Sequence, residues 1–227
     1  MFYAARSRRA KTKGDIMDLE ALKEAVIAGD VKGCNVLTEV AIQAGHPPQK
    51  ILTEALVPAM QIVGDKFRCN EVYVPEVLVA ARAMKKSLAL LKPLLTQTGA
   101  KPVGIAVMGT VKGDLHDIGK NLVCMMLEGA GFEVVDLGTD VPPEKFVQAA
   151  KDNKAHIVGM STLLTTTMLG MKDVIAALEK AELRGRVKVM VGGAPVTQSF
   201  AQEIGADAYG ESAATAVDKA RRLIGVI

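Results

Sequence analysis

The chain has 227 residues, 49% of them hydrophobic, and a mean hydropathy of +0.23, enough apolar surface for one large or two small packed domains. No run approaches the roughly 18 uninterrupted apolar residues of a membrane span, and with no Trp, five Phe and three Tyr there is little on which single-stranded nucleic acid would stack. The net charge of +3 comes from Arg6, Arg8, Arg9, Lys11 and Lys13, all ahead of the first acidic residue, Asp15, so neither a membrane nor a nucleic acid is expected as a partner.

Residues 1–16 read as a basic, flexible leader ahead of a second candidate start at Met17. From there to residue 95 apolar residues recur at helical spacing, and no stretch alternates as a strand would. Asp18 caps a helix reaching residue 28, where Gly29 ends it, and a second spans 31–44 before Gly45-His46-Pro47-Pro48. A third runs from there towards Phe67, and Pro75 and Glu76 open a long fourth to residue 91. Residues 17–95 are therefore predicted as a four-helix bundle, and the polar stretch 96–100, which ends in Gly99-Ala100, as a linker.

From residue 101 the period changes. Short apolar runs at 103–108, 133–137, 157–160, 187–191 and 207–209 alternate with helical patterns at 119–129, 144–151, 167–181, 197–204 and 212–224. Five such units with short connections predict a parallel sheet covered on both faces, because right-handed crossovers place helices on both sides. Cys34, Cys69 and Cys124 form an odd set without a Cys-x-x-Cys pair, which indicates neither a disulfide framework nor a zinc site and is consistent with a reducing cytoplasm.

The segment Thr110-Val-Lys-Gly-Asp-Leu-His-Asp-Ile-Gly-Lys-Asn121 follows the first of those apolar runs. A strand, a glycine-containing turn with Asp114 and His116, and a helix entered at Gly119 place an imidazole at the carboxyl end of a sheet, where open α/β folds bind ligands. A metal-ligating histidine needs a partner on its second ring nitrogen, and Asp114 is two residues away. Gly192 and Gly193 follow a strand and would let backbone approach a ligand closely. His46 and His156 have no comparable surroundings.

The pattern Asp-x-His-x-x-Gly, carried by Asp114, His116 and Gly119, resembles the signature of cobalamin-binding domains. The likeness continues through Lys120-Asn121-Leu122-Val123, Asp136-Leu137-Gly138, the stretch Ser161-Thr162-Leu163-Leu164-Thr165-Thr166-Thr167 and Val191-Gly192-Gly193-Ala194. Met60 to Phe67 and Val72 to Leu78 are similar to the helical cap that precedes the cobalamin domain in methionine synthase and corrinoid methyltransferase proteins. The resemblance implies a flavodoxin-like strand order and His116 as lower axial ligand of cobalt in place of the cofactor's own benzimidazole. It extends His116 into a relay through Asp114 to Thr167, a threonine where serine is usual. Val111, Gly113, Leu115, Asp117, Ile118 and Gly119 would surround that ligand, and Ser161, Leu163, Thr165, Gly192 and Gly193 would receive the nucleotide tail, with Tyr209 and Gly210 closing the same crevice. Phe67, Val74, Val77 and Leu78 would form an apolar lid over the upper face of the corrin.

The function so implied is a methyl carrier on which cobalt alternates between Co(I) and methyl-Co(III). A chain with no room for a barrel of about 250 residues would take the methyl group from a methylamine, betaine, methanol or methoxy-aromatic through a partner barrel methyltransferase. An acceptor methyltransferase would pass it to tetrahydrofolate or a thiol such as coenzyme M, and a reductive reactivation protein would restore oxidised cobalt. The same motif occurs in adenosylcobalamin mutases, but a cap over the metal leaves little space for an adenosyl group. A cobalamin-dependent regulatory sensor needs a DNA-binding region, and the leader is too short for a helix-turn-helix. A plain receiver or dinucleotide domain is disfavoured because no Gly-x-Gly-x-x-Gly follows the first strand.

Overall fold

The computed structural model describes residues 13–99 and 101–226. Its helical half comprises α1 (Lys13–Ile27), α2 (Val31–Gln43), α3 (Pro48–Ile51), α4 (Val57–Arg68) and α5 (Val74–Gln97). The α1 helix begins inside the segment expected to be leader, and residues 1–12 of that expectation lie outside the described residues. Asp30 caps α2, its carboxylate accepting from Gly33 N at 2.9 Å.

The expected third helix is a continuous helical run from Pro48 to Arg68 containing one wide π turn, Leu52–Leu56. Its physical cause is Pro58. The ring nitrogen cannot donate to the carbonyl four residues back, and the widened turn, with Val57 N bonded to Leu52 O, takes up the mismatch. The α5 helix passes through Pro93 and occupies Thr96 and Gln97, part of the expected linker. Leu88, Leu91 and Leu95, at helical spacing, pack against the core, and this packing outweighs the proline's local preference.

The second half alternates β1 (Ile105–Thr110), α6 (Ile118–Gly129), β2 (Glu133–Asp136), α7 (Pro143–Asp152), β3 (Ile157–Ser161), α8 (Leu169–Lys180), β4 (Lys188–Gly192), α9 (Gln198–Glu203), β5 (Ala208–Gly210) and α10 (Ala213–Leu223). All strand pairs are parallel, in the order β2-β1-β3-β4-β5, the flavodoxin-like order. The first strand begins two residues later than its apolar run and ends on Thr110, a buried hydroxyl rather than a hydrophobe. Thr110 is admitted because its Oγ1 donates to His116 O at 2.9 Å, a bond that also anchors the following turn.

One sheet face, with Ala106 and Met108, shares a continuous apolar core with α6, α10 and the helical half, while Val107, Val158 and Val189 pack with Phe146, Met171 and Ala201 under α7, α8 and α9. The bundle rests on the outward side of α6 and α10. A side chain at Gly129 would meet Met60 at 2.9 Å, one at Gly64 would meet Met126 at 3.1 Å, and Lys85 pairs with Glu128 at 3.5 Å and Arg68 with Asp218. Among the described residues no helix is long and apolar enough to cross a membrane.

Candidate functional site

The β1 strand ends at Thr110, and the chain reverses through Gly113, whose φ of 84° is one that side-chain-bearing residues rarely adopt. Gly113 N donates to Asp140 Oδ1 at 2.7 Å, and Asp140 N to Asp114 O at 3.0 Å, so the turn is tied to the loop after β2. This leaves the Asp114 side chain fully buried, with His116 beside it half exposed.

Every lone-pair direction of the Asp114 carboxylate is used. Oδ1 accepts from His116 N at 3.0 Å and lies 2.8 Å from His116 Nδ1. Oδ2 receives Leu163 N at 2.7 Å and Leu164 N at 3.2 Å, and the Thr162 and Thr167 hydroxyls lie 2.8 Å and 3.0 Å from it. Burial pushes this carboxyl's pKa up, but the backbone donors His116 N and Leu163 N, the His116 ring and the Thr162 hydroxyl outweigh it and hold the group well below the usual carboxylate range. An ionised carboxylate can only accept, so the proton of a neutral His116 sits on Nδ1 and the Nε2 lone pair is free to bind a metal.

A group whose pKa is lowered on folding stabilises the fold above its unfolded value, about 3.9, and that contribution fades as the pH falls through the folded value. The stability gap between wild type and Asp114→Asn is therefore expected to be constant near neutral pH and to shrink below about pH 4. Urea unfolding at pH 7 and pH 3 measures it, and an unchanged gap would show that the carboxylate is not held ionised.

Ser161 and Gly192 are register partners at the ends of β3 and β4, with Thr162 N donating to Gly192 O at 3.3 Å. Together with Gly119, Gly193, Tyr209 and Gly210 they line a cavity of ≈ 270 Å³ between the amino ends of α6 and α10. At Gly193, φ is 127° and a Cβ would lie 1.9 Å from Thr162 O, so only glycine fits. The segments that carry His116 and the donors to Asp114 form an apolar apron of exposed side chains: Leu115 is 72% exposed, Ile118 78% and Leu169, at the start of α8, 66%, with Leu163 and Leu164 also exposed. Asp117 accepts from Asn121 Nδ2 at 2.9 Å at the start of α6.

Several expected site residues lie elsewhere. Val111 is fully buried in the core on the α7 and α8 side, held there by a bridge to Val141, because the chain leaves the sheet one residue later. Thr165 is exposed and does not line the cavity. Of the four lid residues, Val77 is fully buried in the bundle core, Phe67 and Leu78 pack against that core, and Val74 is at the exposed start of α5. Helical spacing alone does not distinguish a side chain facing a ligand from one facing the neighbouring helix, and here the bundle's own packing takes Val77.

Two elements of the site have no counterpart in the expected set. Thr162, 1% exposed, bonds to Asp114, although it occupies the unspecified position of the Ser-x-Leu stretch. Lys120 is 2% exposed, and its Nζ bonds both oxygens of Asp136 at 2.6 Å and Asn121 Oδ1 at 2.7 Å, binding the first turn of α6 to the end of β2. A lysine so buried requires such partners. The motif segments Gly119-Lys120-Asn121 and Asp136-Leu137-Gly138 contain the pair, but only the fold brings them together.

A family described as B12 binding domain matches residues 104–218, and a second of the same description matches residues 18–92. Over 182 residues the chain is 48% identical to dimethylamine corrinoid protein 3 of Methanosarcina acetivorans, covering 80% of this chain and 85% of that one. The chain belongs to the corrinoid proteins of methyltransferase systems. This corrinoid protein binds a cobalamin or related corrinoid. Its structure is similar to that of the monomethylamine corrinoid protein of Methanosarcina barkeri, with 38% identity and a TM-score of 0.52 over 92% of this chain and 99% of that one. It is also similar to the methanol:cobalamin methyltransferase complex MtaBC from the same organism, with 27% identity and a TM-score of 0.83 over 100% of this chain and 95% of that one. The residues suit a corrinoid: an imidazole with its outer nitrogen free, exposed apolar side chains that would cover a flat macrocycle, and a glycine-walled cavity.

Proposed function

We propose that the corrinoid protein holds cobalt through His116 Nε2, with the cofactor's displaced nucleotide tail in the cavity between α6 and α10. A corrinoid bound there supplies the metal centre that accepts a methyl group and gives it up again. The observation that carries this reading is the 2.8 Å contact between His116 Nδ1 and the buried, ionised Asp114, which leaves Nε2 as the free nitrogen.

Each residue has a task. Asp114 holds the ring's tautomer and orientation and, remaining negatively charged, keeps the ring proton on Nδ1, so that Nε2 would be the nitrogen offered to the metal. Leu115, Ile118, Leu163, Leu164 and Leu169 exclude water from beneath the ring system. Gly192 and Gly193 leave space for the tail. The methyl donor is a methylated amine, a reading supported by the identity with dimethylamine and trimethylamine corrinoid proteins of Methanosarcina acetivorans. A partner methyltransferase delivers the methyl group, as the MtaBC complex pairs such a protein with a methyltransferase. An acceptor methyltransferase removes it to tetrahydrofolate or a thiol, a reactivation protein reduces oxidised cobalt, and the setting is the cytoplasm. Leu115 and Ile118, both largely exposed beside His116, offer such a partner an apolar surface.

Electron paramagnetic resonance of the Co(II) form tests the ligand. Protein labelled with nitrogen-15 and loaded with unlabelled cobalamin is expected to show a superhyperfine doublet in place of the triplet of unlabelled protein. A triplet persisting from the cofactor's own nitrogen would overturn the assignment.

A further inference from the structure

Thr162 and Thr167 each carry one hydroxyl proton, yet the geometry around them offers more acceptors than two protons can serve. Their Oγ1 atoms are 2.6 Å apart, and both lie within 3.0 Å of Asp114 Oδ2. Two hydroxyl oxygens this close need a proton between them, since lone pairs facing one another at that distance repel. One proton is therefore committed to the Thr162–Thr167 contact, and only one remains for Asp114 Oδ2 or for Leu164 O, which lies 3.0 Å from Thr167 Oγ1 and 3.3 Å from Thr162 Oγ1.

Two observations decide which hydroxyl supplies it. Thr162 Oγ1 lies closer to the carboxylate, at 2.8 Å against 3.0 Å for Thr167. Thr162 is also buried, whereas Thr167 is partly exposed. Were Thr162 at the head of the chain of bonds, its buried oxygen would accept from nothing; with Thr167 at the head, water can donate to it.

We propose that the Thr162 hydroxyl donates its hydrogen bond to Asp114, and that Thr167 donates to Thr162 one bond further out. Thr162 is thus a positioning residue. With Leu163 N it fixes the plane of the carboxylate from the β3 side, so that Oδ1 meets His116 Nδ1 squarely and the ring proton stays there. The importance of that proton for metal binding rests on the reading of His116 as cobalt ligand, but its position does not.

The tautomer of His116 can be read without any corrinoid, by long-range nitrogen-15 NMR of the full chain at about pH 8.5, some two units above the ordinary imidazole value. In wild type the Nδ1–H form is expected to dominate. Loss of one hydrogen bond in Thr162→Val should lower the ratio of Nδ1–H to Nε2–H about threefold to tenfold. Thr162→Ser should restore it, and Thr167→Val should leave it unchanged. Thermal melting checks that each variant folds, and Thr162→Ala replaces the valine variant should that one not fold. A shift in Thr167→Val as large as that in the Thr162 variants, or no recovery in a folded Thr162→Ser, overturns the proposal. The cobalt spectrum of loaded wild type reports separately: absent protein-nitrogen coupling would refute the ligand reading and leave the tautomer ratios standing.

Discussion

Replacing His116 with alanine is expected to abolish protein-nitrogen coupling in the Co(II) spectrum and to slow methyl transfer by more than about 100-fold, since changes to a ligand's hydrogen-bond partner already cost about 10- to 100-fold. Corrinoid affinity should fall less, because the cavity walled by Gly192 and Gly193 is untouched. Asp114→Asn should approach the loss seen without the ligand, for a reason specific to this site. Two backbone N–H groups and two hydroxyls surround Oδ2, and only His116 N and Nδ1 face Oδ1, so the asparagine amide places its carbonyl toward Thr162, Leu163, Leu164 and Thr167 and its NH₂ toward His116. An NH₂ beside Nδ1 forces the ring proton onto Nε2, the nitrogen required by the metal. Stopped-flow absorbance during methylation, compared with the spectra, measures both variants; transfer at the wild-type rate in His116→Ala would exclude the imidazole from the mechanism.

The second large effect concerns Gly193. An alanine there must take a φ of 127° and place its Cβ 1.9 Å from Thr162 O, displacing the residue that bonds Asp114. Strain of this kind costs about 1–3 kcal/mol, and corrinoid affinity is expected to fall at least about tenfold, equivalent to about 1.4 kcal/mol. Gly119→Ala separates fold from ligand. Its Cβ meets nothing within 4 Å, and alanine suits helix α6, so stability should hold or rise while affinity drops because Gly119 also lines the cavity. Melting and absorbance titration with cobalamin report the two quantities. Undiminished affinity in both variants would remove the nucleotide tail from this cavity.

The change from helical to alternating periodicity near residue 101, the five β-α units and the pairing of Asp114 with His116 were all legible along the chain, because each is local: hydrophobic spacing, turn glycines and a two-residue separation within one loop. The flavodoxin-like order and the corrinoid came from the resemblance of spaced motifs, and sheet and relatives agree with them. Boundaries were less legible. The α5 helix overran its expected end because leucines buried by the tertiary packing outweighed Pro93.

What the sequence by itself determined is therefore the class of each half, the succession of elements and the residues of one reactive turn, since those follow from interactions between near neighbours. Only the tertiary structure decided that Thr162 reaches Asp114 across 48 positions, that Lys120 is neutralised by Asp136, that Val77 belongs to the bundle core, and that the bundle packs against α6 and α10. Those outcomes depend on which apolar surfaces meet and which buried polar atoms find partners, a competition among distant segments that no local pattern encodes.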